Sequence, residues 1–169
     1  MSATGGLNIL VLCTGNSARS ILGEALIARE GVGRVYAYSA GSQPKGVPHP
    51  GALRLLAREG YDVAAFRSKS WDEFAVPGAP RIDIAITVCG NAAGETCPLF
   101  IGAPVRAHWG LPDPADVAGD AAAVDAAFAE TYRLLDMRVR AMLALPLETM
   151  SAADRRAALN SIGAMEGAA

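Results

Sequence analysis

The sequence has no excess of positive charge and no long hydrophobic run near its start. Its 15 lysines and arginines stand against 17 acidic residues, a net charge of -2, so it lacks the broad basic surface that binds nucleic acid. The stretch 1–8 has no basic residue, and the apolar run that follows is too short for a signal peptide or a membrane span. We therefore expect a cytoplasmic protein with neither a nucleic acid nor a membrane as partner.

Cysteine and histidine are also scarce. The three cysteines, Cys13, Cys89 and Cys97, are an odd number, and in the reducing cytosol thiols are more often catalytic, redox-active or inert than structural. The two histidines, His49 and His108, do not match a zinc-site spacing with these cysteines. We expect no zinc site, and the role of each thiol has to be found from its place in the fold.

Short apolar segments alternate with segments of helical periodicity along the chain. We predict strands at 8–12, 35–40, 82–88 and 105–108, and helices at 18–29, 50–59, 71–74 and 124–143. This alternation predicts a parallel sheet with helices on both faces. A length of 169 residues suits one domain, which we place at 1–150. Ser151 has the pattern of a helix N-cap, so we predict a helical tail over 151–169.

Cys13 follows the first predicted strand and precedes a loop of small polar residues that leads into a helix. A thiol reacts as its thiolate, which helix N-termini and nearby cations favour. The loop can turn its backbone N–H groups around an anion if Gly15 or Asn16 takes a positive φ. Arg19 can hold two oxygens of a tetrahedral anion, and Ser20 can donate to the sulfur. A lone cysteine at a strand end can be an inert core residue, but this combination predicts a nucleophile beside an anion site.

The run CTGNSARS over 13–20 resembles the signature loop of the low-molecular-weight protein tyrosine phosphatase superfamily, which has a cysteine, five residues, an arginine and a serine. The resemblance implies a three-layer α/β fold, in which a four-stranded parallel sheet is flanked by helices. It also implies that substrate is bound by the loop residues after the cysteine: Thr14, Gly15, Asn16, Ser17, Ala18, Arg19 and Ser20.

The other two thiols suggest redox chemistry. Cys89 follows the predicted strand 82–88 and so lies at the same sheet edge as Cys13 if the strands are parallel. If the segment from Cys89 to Cys97 were helical, the two residues would be about 12 Å apart, beyond the roughly 7 Å that a disulfide allows. Gly90 and Gly94 would ease its rearrangement. We predict separate thiols in the reduced protein and a looped-out disulfide in the oxidised one.

The run AHWGLPDPA over 107–115 resembles a second family element, a loop that brings an aspartic acid over the anion site. Ala115 stands where the phosphatases have a tyrosine that stacks on an aryl substrate. Together with the three cysteines, this run resembles the arsenate reductases of the superfamily that relay a disulfide through three thiols. The resemblance implies an enzyme of arsenic detoxification that converts arsenate to arsenite.

The mechanism that this resemblance implies uses five residues. Cys13 attacks arsenate held by the loop and Arg19, while Asp113 protonates the departing oxygen. Cys89 then attacks Cys13 and releases arsenite, and Cys97 attacks Cys89 and frees Cys13. The final disulfide would be reduced by thioredoxin, by a glutaredoxin with glutathione, or by mycothiol, and phosphate and sulfate would compete with arsenate.

No tightly bound cofactor is implied, but some relatives bind potassium near the loop. Four residues fall at matching positions: Asn16, Glu24, Ser39 and Asp72. Two other functions remain open. Hydrolysis of aryl phosphate monoesters is favoured by the shared loop and disfavoured by Ala115. A non-catalytic oxyanion or redox sensor would bind arsenate without turnover, although no partner-binding segment is evident.

Overall fold

A computed structural model describes residues 6–89 and 103–166. Within these ranges a single parallel sheet has the order β2-β1-β3-β4, with β1 at Leu7–Cys13, β2 at Val35–Gly41, β3 at Ile84–Thr87 and β4 at Val105–His108. The α-helices in these ranges are α1 at Arg19–Glu30, α2 at Pro50–Arg58, α3 at Ala121–Leu143 and α4 at Ala152–Gly163. The predicted fold class, a four-stranded parallel sheet flanked by helices, is confirmed.

The predicted elements differ from the observed ones mainly at their ends. β3 is shorter than the predicted strand 82–88, yet backbone hydrogen bonds from Asp83 N to Asn8 O and from Val88 N to Leu12 O continue its pairing with β1. α3 begins three residues before the predicted 124–143. Its first turn is fixed by Asp120, whose carboxylate accepts a hydrogen bond from the third backbone N–H of the helix.

The two faces of the sheet carry hydrophobic clusters of different size. Ile9 and Val11 of β1 belong to the larger cluster, to which all four α-helices contribute buried side chains. Leu10 and Leu12 point to the opposite face and belong to a smaller cluster, against which Trp71 packs from the short 3-10 helix Trp71–Phe74. Because β1 is buried on both faces, its sequence shows a continuous apolar run instead of an alternation.

α4 packs against β4, the strand at one edge of the sheet. The indole N–H of Trp109 donates to Leu159 O at 2.8 Å, and the side-chain oxygen of Asn160 accepts from the backbone N–H of His108 at 3.0 Å. The helix approaches so closely at Gly163 that a Cβ there would overlap the His108 carbonyl. The C-terminal helix is therefore part of the packed structure.

The helix start predicted at Ser151 is present, because the Ser151 hydroxyl accepts a hydrogen bond from Asp154 N at 3.1 Å. The division into a domain over 1–150 and a tail over 151–169 stays a prediction. In the part of the chain that the structure describes, no helix is long and apolar enough to cross a membrane.

Candidate active site at the carboxyl ends of the strands

Cys13 is the last residue of β1, and the loop after it leads directly into α1. Its thiol is free, 3 % exposed, and lies 2.9 Å from the hydroxyl of Ser20. The N-cap residue of α1 is Ala18, which has no side chain to cap the first turn, and no acidic residue stands in that turn. The helix N-terminus is therefore available to an anion beside the sulfur.

The sequence left Gly15 and Asn16 as alternatives for the positive φ of the loop. In the structure Asn16 has the positive φ, at +44°, and Gly15 does not have one. Its amide is fully buried and makes three hydrogen bonds: Nδ2 donates to Ser20 Oγ at 2.8 Å and to Ser39 Oγ at 3.0 Å, while Oδ1 accepts from Lys69 N at 2.8 Å. These bonds hold asparagine in a left-handed conformation that it tolerates better than most residues.

Arg19 links the thiol loop to two other strand ends. Its guanidinium is almost fully buried, and Nη1 donates to Leu111 O at 2.9 Å and weakly to Val88 O at 3.5 Å. Nη2 lies 3.5 Å from the Asp113 carboxylate. Arg19 is therefore held in a fixed orientation by the segments that follow β3 and β4, within reach of an anion bound by the loop.

Asp113 is half-buried and serves two purposes. One carboxylate oxygen accepts from Ala115 N at 3.0 Å and caps the short 3-10 helix Pro114–Asp116. The other oxygen faces Arg19, and the side chain keeps 24 % of its surface exposed. The carboxylate can therefore reach both an anion in the loop and solvent.

Cys89 lies at the same sheet edge as Cys13. β1 and β3 run parallel, and Leu12 opposite Thr87 is their last pair. Cys13 comes one residue after Leu12 and Cys89 two residues after Thr87, so both lie where adjacent strands end. Cys89 is fully buried and disulfide-bonded, whereas Cys13 is a free thiol. Cys97 lies outside the described residues, and so does the segment 90–96, so the predicted change from separate thiols to a looped-out disulfide stays a prediction.

Sequence reasoning missed two residues beneath the loop. At Gly41, the last residue of β2, a Cβ would overlap the carbonyl oxygen of Thr14 and lie 3.0 Å from Asn16 N. Lys69 is 8 % exposed, and its carbonyl accepts from Gly41 N at 2.9 Å. Two signals in the sequence could have been noticed. Gly41 ends the strand beside β1, and Lys69 is one of only two lysines in the chain.

Lys69 also forms an ion pair with Glu24, at 3.9 Å from Nζ to Oε1. The same Oε1 accepts a hydrogen bond from the Ser39 hydroxyl. Burial raises the pKa of the Glu24 carboxyl, and the Lys69 ammonium and the Ser39 hydroxyl oppose that effect. Burial also lowers the pKa of Lys69, which Glu24 opposes. Each group therefore stabilises the charge of the other.

The four residues expected to bind potassium do not fit that ion. Asn16, Ser39 and Glu24 are joined by hydrogen bonds, but Asp72 is exposed and makes no hydrogen bond or ion pair with them among the described residues. The amide oxygen of Asn16 is taken by Lys69 N, and the carboxylate of Glu24 is already paired. No cluster of three or more His, Cys, Asp or Glu residues suited to a metal occurs within 6–89 and 103–166.

The sequence model of the low molecular weight phosphotyrosine protein phosphatase family matches residues 8–155. The chain belongs to this family. Within it, an arsenate reductase from Halalkalibacterium halodurans is 36 % identical over 117 residues, which cover 66 % of this chain and 76 % of that protein. The resemblance seen in the sequence, to arsenate reductases of the phosphatase superfamily, is therefore confirmed, and so is the expectation that this family member is an enzyme.

Solved structures share the fold of this phosphatase-family enzyme. A thioredoxin-dependent arsenate reductase from Corynebacterium glutamicum aligns with a TM-score of 0.60 and 23 % identity, covering 85 % of this chain and 63 % of that one. An arsenate reductase in a phosphate binding state aligns with a TM-score of 0.66 and 22 % identity, covering 82 % and 97 % of the two chains. At these identities the likeness establishes the fold.

Proposed function

We propose that this protein reduces arsenate to arsenite for arsenic detoxification. The observation that supports this best is the position of Arg19, whose guanidinium contacts the segments leading to Cys89 and Asp113 while its own loop begins at Cys13. A nucleophilic thiol, an anion-binding cation, a carboxylic acid and a second cysteine are thus gathered at one sheet edge. The curated relatives named arsenate reductase support the choice of substrate.

The first step is nucleophilic attack on bound arsenate. The loop N–H groups of Thr14 to Ser20 and the Arg19 guanidinium hold three oxygens of the anion, as a helix N-terminus and a guanidinium hold phosphate in other proteins. The Cys13 thiolate, with the Ser20 hydroxyl 2.9 Å away, forms a bond to arsenic. Asp113 gives a proton to the departing oxygen, which leaves as water.

The second step transfers two electrons to arsenic. This step needs Cys89 as a thiolate, so the disulfide at Cys89 is first reduced by an external dithiol. The Cys89 thiolate then attacks Cys13 Sγ, the sulfur–arsenic bond breaks, and its electron pair stays on arsenic, which leaves as arsenite. A Cys13–Cys89 disulfide remains, and the two thiols have supplied both electrons. Cys97 then attacks Cys89, Cys13 departs as thiolate, and a Cys89–Cys97 disulfide carries the oxidation away from the anion site.

A dithiol reductant of the thioredoxin class restores the enzyme in this scheme, and the cytoplasm is the compartment that supplies it. The thioredoxin-dependent structural neighbour supports this choice over glutaredoxin with glutathione or mycothiol. The neighbour in a phosphate binding state supports phosphate as a competing anion, and sulfate has the same tetrahedral shape.

The relay is tested by measuring arsenite formation and mapping disulfides by mass spectrometry in three variants. Cys13→Ser should abolish turnover, and Cys97→Ser should stop after one turnover with a Cys13–Cys89 disulfide. Cys89→Ser should not turn over arsenate repeatedly, whether a thioredoxin, a glutaredoxin or a mycothiol system is supplied. Repeated turnover by Cys89→Ser would contradict the relay, and tight arsenate binding without any turnover in the unmodified protein would favour the sensor.

A phosphatase activity is the second candidate, because the matching family model is that of phosphotyrosine phosphatases. Hydrolysis needs only Cys13, Arg19 and Asp113, so the double variant Cys89→Ser/Cys97→Ser would hydrolyse p-nitrophenyl phosphate as fast as the unmodified protein. Ala115 argues against it, because no aromatic ring from that position can stack on an aryl group. If arsenate turnover requires Cys89 and Cys97 and p-nitrophenyl phosphate hydrolysis is negligible, the protein is a reductase and not a phosphatase.

A further inference from the structure

A continuous set of polar contacts supports the thiol loop from beneath, and we call its five residues the floor: Asn16, Ser20, Glu24, Ser39 and Lys69. The Asn16 amide contacts both serines, Ser39 donates to Glu24, and Glu24 pairs with the Lys69 ammonium. Asn16, Ser20 and Ser39 are fully buried and Lys69 is 8 % exposed. The Glu24 carboxylate keeps only 17 % of its side-chain surface exposed, so a positive charge beside it stabilises its charged form.

Lys69 is held so that its ammonium supplies this charge. Its backbone N–H donates to Asn16 Oδ1 at 2.8 Å and its carbonyl accepts from Gly41 N at 2.9 Å, which fixes the backbone against the loop. Its Nζ donates to Arg67 O at 3.0 Å and lies 3.9 Å from Glu24 Oε1. One residue therefore contacts the loop through its backbone and the carboxylate of Glu24 through its side chain.

We propose that the Lys69 ammonium takes the place of a bound monovalent cation beneath the anion loop, so that the loop of this protein keeps its shape without potassium. Lys69 is a positioning residue. It neutralises Glu24, Glu24 orients Ser39, and Ser39 and the Lys69 backbone orient the Asn16 amide, which fixes the positive φ that turns the loop N–H groups inward. Two of the oxygen atoms that would ligate an ion, Asn16 Oδ1 and Glu24 Oε1, already make these contacts.

The test compares potassium with sodium at equal ionic strength in the unmodified protein, in Lys69→Ala and in Arg67→Met. Arg67 is the matched control, because it is a second cation that favours the charged form of Glu24, but its exposed side chain forms its ion pair with Glu73. The readouts are Tm and the affinity for inorganic phosphate by calorimetry, neither of which depends on catalysis. A failure of the proposed reductase activity would therefore leave this test intact.

For the unmodified protein, we expect Tm and phosphate affinity to be the same in potassium as in sodium. The same should hold for Arg67→Met. Lys69→Ala should bind phosphate at least about tenfold more weakly in sodium, because Glu24 loses its counter-charge. Potassium, but not sodium, should raise its Tm and restore phosphate affinity by entering the space that the side chain leaves. If Lys69→Ala turns over arsenate, KM should change with salt more than kcat.

Three results would overturn the proposal: a potassium-specific rise in Tm of the unmodified protein, full phosphate affinity of Lys69→Ala in sodium, or no rescue of that variant by potassium. Should Lys69→Ala fail to fold, the pair Lys69→Met and Lys69→Met/Glu24→Gln decides. The double variant removes the unpaired carboxylate, so it should be more stable than the single variant and bind phosphate more tightly. Equal stability and affinity of the two would show that charge pairing is not what Lys69 contributes.

Discussion

The floor of the loop and the residues above it differ in burial and in the number of contacts they make. The residues above, which we call the rim, are Lys45, His49 and Asp113. Lys45 is exposed and lies beside Gly15, His49 is half-buried against Phe128, and Asp113 is half-buried beside Arg19. The floor thus holds the loop through buried contacts, whereas the less buried rim residues are accessible to water and to an anion at the loop. Substitutions in the floor should cost stability, and those in the rim should cost rate.

The largest expected effect is on rate, from Asp113→Asn in the rim. Asparagine keeps an oxygen for Ala115 N but cannot act as the acid, so kcat for arsenate should fall by about 10²–10⁴-fold. The free energy of unfolding should fall less than for a substitution in the floor, because asparagine keeps the hydrogen bond from Ala115 N and Arg19 keeps its hydrogen bond to Leu111 O. Steady-state kinetics and urea unfolding of the same preparation measure both. Unchanged kcat would remove Asp113 from the mechanism.

Asn16→Ala should have the largest effect on stability, because it removes three buried hydrogen bonds and puts at positive φ a residue that tolerates this conformation less well than asparagine. We expect a loss of about 3 kcal/mol in the free energy of unfolding. Asn16→Gly removes the same bonds without the backbone cost, and should be about 1 kcal/mol more stable than the alanine variant. Equal stabilities by urea unfolding would mean that the left-handed conformation does not matter.

Gly41→Ala and Gly15→Ala place the same methyl group on opposite sides of the loop. The Gly41 methyl overlaps backbone atoms of the loop, which cannot move alone, so we expect a loss of about 1–3 kcal/mol in unfolding free energy. The Gly15 methyl meets only the flexible Lys45 side chain at 3.2 Å, so its loss should be under about 1 kcal/mol. Thermal unfolding compares the two, and a larger loss for Gly15→Ala would reverse the distinction between floor and rim.

The smallest effect belongs to an ion pair far from both regions. Glu148 receives a hydrogen bond from Arg34 at 2.6 Å, which lowers the pKa of its carboxyl to about 2. A lowered pKa in the folded state stabilises the fold fully above pH 4.5, and this contribution is lost as the pH falls through about 2. Both side chains are partly exposed, so Glu148→Gln should cost less than about 1 kcal/mol at pH 7 and only a small part of that near pH 2. A constant difference across this pH range would contradict the assignment.

The sequence was sufficient to predict the sheet edge on which the site lies, because buried strands are short apolar runs and parallel strands bring their carboxyl ends together. It placed Cys13, Arg19 and Cys89 at this edge by their position after or near such runs, and their roles stay predictions. It could not choose between Gly15 and Asn16, since the hydrogen bonds that decide come from Ser39 and Lys69, 23 and 53 residues away.

Gly41 and Lys69 were not predicted for the same reason. A close approach of two backbone segments and a buried ion pair depend on how separate elements pack, and neither leaves a periodic pattern in the sequence. The potassium ligands were expected from a resemblance of positions, and the ion pair between Lys69 and Glu24, which argues against that ion here, joins residues 45 positions apart in the sequence.

α4 has a consequence for how this protein behaves in concentrated solution. A sheet edge offers unpaired backbone groups to which strands of other molecules can add. Along β4 the Asn160 side chain accepts the His108 N–H at 3.0 Å, and Arg156 donates weakly to Pro104 O at 3.4 Å, so the helix occupies backbone groups just before and at the end of the strand. By occupying these groups, α4 leaves fewer sites at which a strand of another molecule could add to β4.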